Sequence, residues 1–319
     1  MTGGGAFGRP AEGVVPFGDR LARIVEDRHS QIVLGLDPDP AALWSVAIEA
    51  VRGRPGDPAE LTAAAVERHC RAAIDAAGGA CVAVKPQLAC FERLGAPGAA
   101  ALSAVVAASR DAGLLVIADG KRGDVPVTAA AYAQALVGAV DGPFGEVRGL
   151  GVDAFTANPL LGTDSLEPLV EAARAAGACV FCLVRTSNPG AADVQDLPAP
   201  SEPLHEHLAA IVHELGAEGI GGSGLSDVGA VAGATRPEVL ARLRELMPNA
   251  ILLLPGVGAQ GGSVDLLAPA FAPHPAAGLV TASRSIVDAH RQSGGDPGSA
   301  AAAAAEALRA AAWGLAARS

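Results

Sequence analysis

"LLVIADGKRGDVPVT", residues 114–128, opens as an unbroken apolar run and then crowds Asp119, Lys121, Arg122 and Asp124 into six positions. Continuous apolarity over so short a run is the pattern of a strand buried on both faces. Charges packed this closely cost free energy when dehydrated unless they pair or serve chemistry. The stretch therefore reads as a buried strand with a charged tip, and Asp124 falls where the next helix begins. Seven further runs share the pattern: residues 31–37, 81–86, 151–157, 179–185, 228–234, 250–256 and 278–283.

Helical periodicity lies between them. In 60–77, Leu61, Ala65, Cys70, Ala73 and Ile74 approximate one apolar face, and 204–216 and 238–246 behave similarly. Thr163 or Asp164, with Glu167 following, reads as a capped helix start. Eight β-then-α units within roughly 250 residues predict an α/β fold, the TIM (β/α)8 barrel. A doubly wound sheet is the competing arrangement, because alternation alone does not decide closure. The expected organisation is a flexible extension over residues 1–16, a catalytic barrel over 17–292, and an alanine-rich helix over 293–319 lying on the barrel's outside. The amphipathic stretch 18–28, with Leu21, Ile24 and Val25, is expected to plug the barrel's N-terminal end. Residues 52–58 and 188–203 read as long loops.

At 319 residues the chain is long enough for one such barrel. Its formal net charge of −11 argues against a nucleic-acid or membrane-surface partner. The opening MTGGGAFGRPAEG lacks a basic region followed by an apolar one, and no membrane-length run of strongly apolar residues occurs. A cytoplasmic location is expected. Among the five cysteines, Cys179 and Cys182 form a C-x-x-C, but inside an apolar strand, where residues three apart point to opposite faces. Core thiols are the expectation. His205, His207 and His213 lie on a helical stretch at spacings that do not suit one metal.

In a barrel of this kind, functional residues sit at the C-terminal ends of strands. Those positions hold Asp37, Lys85, Asp119 with Lys121, Ser187, Gln260 and Arg284. Asp37 could simply cap a turn. Lys85 closes an apolar strand, and lysine is seldom buried unpaired. Asp119 and Lys121 are two apart, so an extended backbone projects them to the same side. The segment PGVGAQGG, 255–262, satisfies G-x-G-x-x-G through Gly256, Gly258 and Gly261. The acidic partner of a dinucleotide site is missing, however, and Arg284 stands at the next strand's end. Glycine-rich amides after the seventh strand with an arginine after the eighth instead describe a phosphate site. A tight turn beside a surface arginine is the plainer alternative.

The D-x-K-x-x-D of Asp119, Lys121 and Asp124, followed by VPVT, resembles the signature of the orotidine 5′-phosphate decarboxylase family. GLDPD around Asp37, AVKPQLACFERLG around Lys85, RTSNPGA around Ser187, PGVGAQGG and SRSI resemble that family in the same order, over residues 17–292. The wording is similar to its longer bacterial branch. Gly120 fills the motif's variable position, and the alanine-rich tail lies outside the match.

The resemblance implies decarboxylation of orotidine 5′-monophosphate to UMP with no metal or organic cofactor. It implies Lys121 as proton donor to C6, with Asp119 near the departing carboxylate. Asp119, Asp124 and Lys85 would hold Lys121 charged and aimed, since neighbouring carboxylates favour an ammonium ion. Asp37 and Lys85 would bind ribose hydroxyls, and Ser187 would meet the pyrimidine edge. Pro255, Gln260, Arg284 and the amides of Gly261 and Gly262 would line or grip the phosphate end. Asp124 and Thr128 would enter the neighbouring subunit's site, implying a homodimer. Mg-dependent sugar-phosphate enzymes of the same barrel group share the motif but carry a metal-binding acid where this chain has Lys85. A catalytically idle nucleotide-binding barrel is the alternative from another class, and a turnover assay separates the three.

Overall fold

The computed structural model describes residues 13–198, 202–234, 236–257 and 262–318, and all eight expected runs form strands within it. They are β1 (Ile32–Leu36), β2 (Ala83–Pro86), β3 (Leu115–Arg122), β6 (Ala154–Ala157), β7 (Cys179–Arg185), β8 (Val228–Ala232), β9 (Leu252–Leu254) and β10 (Gly278–Ala282). Each pairs in parallel with its neighbours, and β1 pairs with both β2 and β10, so the sheet has no edge. Closure excludes the doubly wound alternative, and the fold is a TIM barrel. The strands β4 (Ala139–Gly142) and β5 (Gly145–Arg148) form a separate antiparallel hairpin that the sequence reading passed over.

Alternation across each strand explains why the runs are apolar throughout. In β1, Ile32, Leu34 and Leu36 face the surrounding helices, whereas Val33 faces the barrel interior. Cys179 and Cys182 divide in the same way, one into each core, and both are fully buried. Burial pushes both thiols up, Cys182 to about 12, as suits inert core residues.

The helix Phe17–Arg28 closes the N-terminal end. Phe17, Leu21 and Val25 are fully buried against inward-facing Val33, Ile117 and Phe181, while Ile24 is only partly buried. Its polar residues tie down the loops around it. Asp19 accepts from the backbone N–H groups of Gly222 and Ser223 at 3.1 and 2.7 Å, and Arg28 donates to the carbonyls of Gly78, Cys81, Ala112 and Gly113. Residues 1–12 of the expected extension lie outside the described residues. At the other end of the chain, the helix Pro297–Ala316 packs on the helix Pro58–Ala77 through small side chains, with Ala301, Ala305 and Ala312 fully buried.

Two expectations need correction. The helix Thr163–Ala175 is capped by Gly162, at φ 98°, and neither Thr163 nor Asp164 caps it. A glycine adopts that backbone at no steric cost, so no side-chain cap is needed for the turn. Residues 188–198 do not form an open loop but fold back as the 3₁₀ turn Pro189–Asp193. Arg185 holds Asp196 through two hydrogen bonds of 2.8 and 2.9 Å, and Gln195 Oε1 accepts from the Thr186 N–H.

After β1, the chain is anchored by Trp44. Its backbone N–H donates to His69 Nδ1 at 3.1 Å, and its indole N–H donates to the Val287 carbonyl at 3.1 Å. His69 is 5% exposed, and burial pushes its pKa down to about 4, the Asp288 carboxylate opposing only part of that. The folded value lies below the ordinary one, so the unfolded chain takes up a proton that the folded chain refuses. Stability is therefore complete above pH 7 and falls as pH drops from 6.5 towards 4, by about 3 kcal/mol at most. We expect urea midpoints measured between pH 7.5 and 5 to decline in the wild type and to decline less in His69→Gln. Equal slopes would remove His69 as the cause.

Candidate active site

The C-terminal ends of the barrel strands surround a cavity of about 570 Å³. Of the expected residues, Asp37, Lys85, Asp119, Lys121, Ser187, Pro255 and Arg284 line it. One side of its floor is polar, from Lys85, Asp119 and Thr156, and the other is apolar, from Leu183, Val231 and Leu253.

Asp119, 6% exposed, is the hub of the polar side. Its Oδ2 accepts from Lys85 Nζ at 2.6 Å and from Gln87 Nε2 at 3.2 Å. Its Oδ1 accepts from Lys121 Nζ at 2.6 Å and from Thr156 Oγ1 at 2.9 Å. Burial alone would raise the Asp119 carboxyl, but the two ammonium groups outweigh it and hold it at about 2. Burial likewise opposes the Lys85 ammonium, and Asp119 and Asp37 more than compensate, lifting its pKa above the ordinary lysine value. Two cations thus share one buried carboxylate, and the Asp37 carboxylate in the same lining also favours the charged form of Lys85.

Lys121 does not sit on regular strand. Its φ is 49°, a left-handed backbone that costs a residue with a side chain about 1–3 kcal/mol. Between β3 and β6, Ala118 pairs with Phe155 and Arg122 with Ala157. Four steps along β3 therefore span two along β6, which makes a bulge of two extra residues. The extended backbone assumed for Asp119 and Lys121 is corrected accordingly: their side chains meet across a bulge. Thr156 stands opposite it, and its Oγ1 accepts the Lys121 N–H at 2.9 Å.

Arg284 also lines the cavity and is exposed. Asp37 is also exposed at the rim, and the turn-capping role considered for it belongs to Asp39, which accepts from the Ala41 N–H. Gln260 and Gly261 lie outside the described residues. The Gly262 N–H donates to the Gly256 carbonyl at 3.1 Å. A Cβ on Gly262 would come within 2.8 Å of the same carbonyl, so the position demands glycine for close packing. Asp124 and Thr128 do not line the cavity of their own chain; Asp124 Oδ1 accepts from the Val125 N–H.

Sequence reading missed Gln87 and Thr156, both bonded to Asp119, and the part of the lining contributed by Thr186, Asn188 and Gln195. Thr156 was legible in principle, as the one hydroxyl in the otherwise apolar AFTA of β6. Gln195 carried no local signal, because its role depends on the return of a long segment.

The sequence profile of the orotidine 5′-phosphate decarboxylase / HUMPS family matches residues 30–303. The chain is 40% identical over 282 residues to orotidine 5′-phosphate decarboxylase of Rhodopirellula baltica, covering 88% of this chain and 90% of that one. It is 49% identical over 204 residues to the Deinococcus radiodurans enzyme of the same name, covering 64% and 70%. Among solved structures, Leishmania donovani OMP decarboxylase superposes with a TM-score of 0.69 at 31% identity, over 93% of this chain and 99% of that one. The profile match over most of the chain and the 40% identity to a relative of nearly full coverage show that the chain belongs to the orotidine 5′-phosphate decarboxylase family of carboxy-lyases.

Proposed function

We propose that the cavity binds orotidine 5′-monophosphate and that Lys121 protonates C6 as CO₂ leaves. The Lys85–Asp119–Lys121 cluster carries this reading. The C6–carboxylate bond breaks with its electron pair left on C6, giving an sp² carbanion-like centre that the pyrimidine ring delocalises poorly. A preorganised cation stabilises that charge where water is excluded. A proton then passes from Lys121 Nζ to C6, giving UMP, and the neutral amine regains a proton from solvent.

Asp119 lies beside the departing carboxylate in this arrangement. Repulsion between the two is a contested contribution, and the electrostatics of Lys121 suffice without it. Asp37 and Lys85 take the ribose hydroxyls and Ser187 the pyrimidine edge. Arg284, together with Pro255 and Gln260, receives the phosphate. Binding energy from that remote end orients the base.

We further propose a cytoplasmic homodimer with shared sites, in which Asp124 and Thr128 serve the partner's cavity. The helix Pro126–Leu136 supports it. PVTAAAYAQAL contains no charged residue, and an apolar stripe left facing solvent suits an interaction surface. Val127 is 86% exposed, and Ala131 and Ala135 share its outward face. The reaction is also proposed to need no metal, because Lys85 places a cation where a sugar-phosphate enzyme of this barrel group would hold Mg²⁺. No helix of the described residues is long and apolar enough to cross a membrane.

Four measurements test these proposals. EDTA-treated protein should convert orotidine 5′-monophosphate, followed by its absorbance, and Lys121→Ala should lose turnover while still binding UMP. Loss on chelation with recovery in Mg²⁺ would instead favour the metal-dependent chemistry.

Arg284→Ala should weaken nucleotide binding by about 2–4 kcal/mol, the scale of a lost charge-assisted contact, and leave the phosphate-free nucleoside nearly unaffected. Equal losses for both ligands would make the arginine structural.

Mixing inactive Lys121→Ala and Asp124→Ala chains should create one intact site per mixed dimer. With random pairing, activity should return to about a quarter of wild type. A verified mixed dimer that stays inactive would overturn site sharing.

A further inference from the structure

Lys121 occupies a backbone conformation that a lysine does not adopt unaided, at the point where its strand has left the ladder. Its N–H therefore lacks a β-sheet partner and is satisfied by a side chain instead. The acceptor is Thr156 Oγ1 at 2.9 Å. The same oxygen lies 2.9 Å from Asp119 Oδ1. The directions of both bonds are forced. A backbone N–H can only donate, and the ionised Asp119 carboxylate can only accept, so the hydroxyl spends its single proton on the carboxylate and a lone pair on the amide.

We propose that Thr156 is a positioning residue: one hydroxyl locks the two-residue bulge and the Asp119 carboxylate together, so that the Lys121 ammonium is aimed into the cavity. The proposal rests on the reading of Lys121 as proton donor. Thr156 is suited to the task because it is 1% exposed and lies on β6, whose flanking residues Phe155 and Ala157 are paired with β3. Its β-branched side chain has a restricted χ1, so the oxygen is held at a fixed point. Gln87 reaches the other oxygen of Asp119 and touches no part of Lys121 that the hydrogen bonds record, so the coupling belongs to Thr156.

Thr156→Val keeps the branched shape and removes the hydroxyl. Circular dichroism first establishes that it folds; Thr156→Ala replaces it in the comparison if it does not. The hydroxyl-less variant should lose about 10- to 100-fold in kcat, the scale of a hydrogen bond to a charged group. KM for orotidine 5′-monophosphate and the Kd for UMP should stay close to wild type, and Thr156→Ser should restore most of kcat. An unchanged kcat, or a change confined to KM, would overturn the proposal. A crystal structure of the variant gives a readout independent of turnover. Lys121 should leave the left-handed region and its Nζ should separate from Asp119 Oδ1, whereas unchanged geometry would refute the positioning role. If wild type fails to turn over the nucleotide, the functional reading falls, and the crystallographic comparison still decides the role of Thr156.

Discussion

A carboxylate taken out of water must be neutralised or it destabilises whatever surrounds it, and Asp119 sets this demand at the centre of the barrel mouth. Lys85 and Lys121 meet it from two directions at 2.6 Å each. The Lys85–Asp119 pair is buried on both sides, and breaking a pair of that kind costs about 3–5 kcal/mol, whereas Lys121 is partly exposed and its pair with Asp119 contributes less to stability. The three residues come from β2 and β3, and the hydrogen-bonding hydroxyl comes from β6, so the cluster exists only because these strands end at one level. Closure of the barrel is what enforces that level. An open sheet could shear or splay at its edge, whereas here every strand is held on both sides.

The same cluster gives the cavity its polarity. Asp119 and Asp37 stand against the two ammonium ions, and Arg284 adds a further cation to the lining. A ligand with an anionic group for Arg284 and a flat body would match this lining, with Leu183, Val231 and Leu253 forming the floor under part of it. In a chain of net charge −11, gathering Lys85, Lys121 and Arg284 around one cavity is a matter of placement and not of composition.

The parts of this arrangement that depend on local pattern were legible in the sequence. Eight apolar runs marked eight barrel strands because strands buried on both faces must be apolar at every position. Lys85 and Asp119 stood out because charges closing such runs require partners. The hairpin β4–β5 escaped notice, since four-residue strands in AVDG and GEVR carry little periodicity, although Asp141-Gly142 and Gly145 punctuate them. The return of residues 188–198 over the cavity escaped for a different reason. It depends on the pairing of Arg185 with Asp196, which no spacing rule foretells. Gly162 was overlooked as a helix cap because a neighbouring threonine and aspartate offered the more familiar signal.

The bulge in β3 shows why motif spacing understates geometry. On a regular strand, positions 119 and 121 would point the same way, one residue repeat apart along the barrel axis. Their charged ends would then lie side by side, each directed by its own backbone. Two extra residues opposite Thr156 allow the chain to turn, so that Lys121 instead reaches back to Asp119 from the cavity side. The left-handed backbone at Lys121 is unfavourable in isolation and persists only because hydrogen bonds on both sides over-determine it. Among them is the Asn158 N–H to the Arg122 carbonyl at 2.8 Å, which returns the strand to its ladder just past the bulge. Strain is thus confined to a few residues within a rigid frame, and the side chain it aims is the one that carries charge into the cavity.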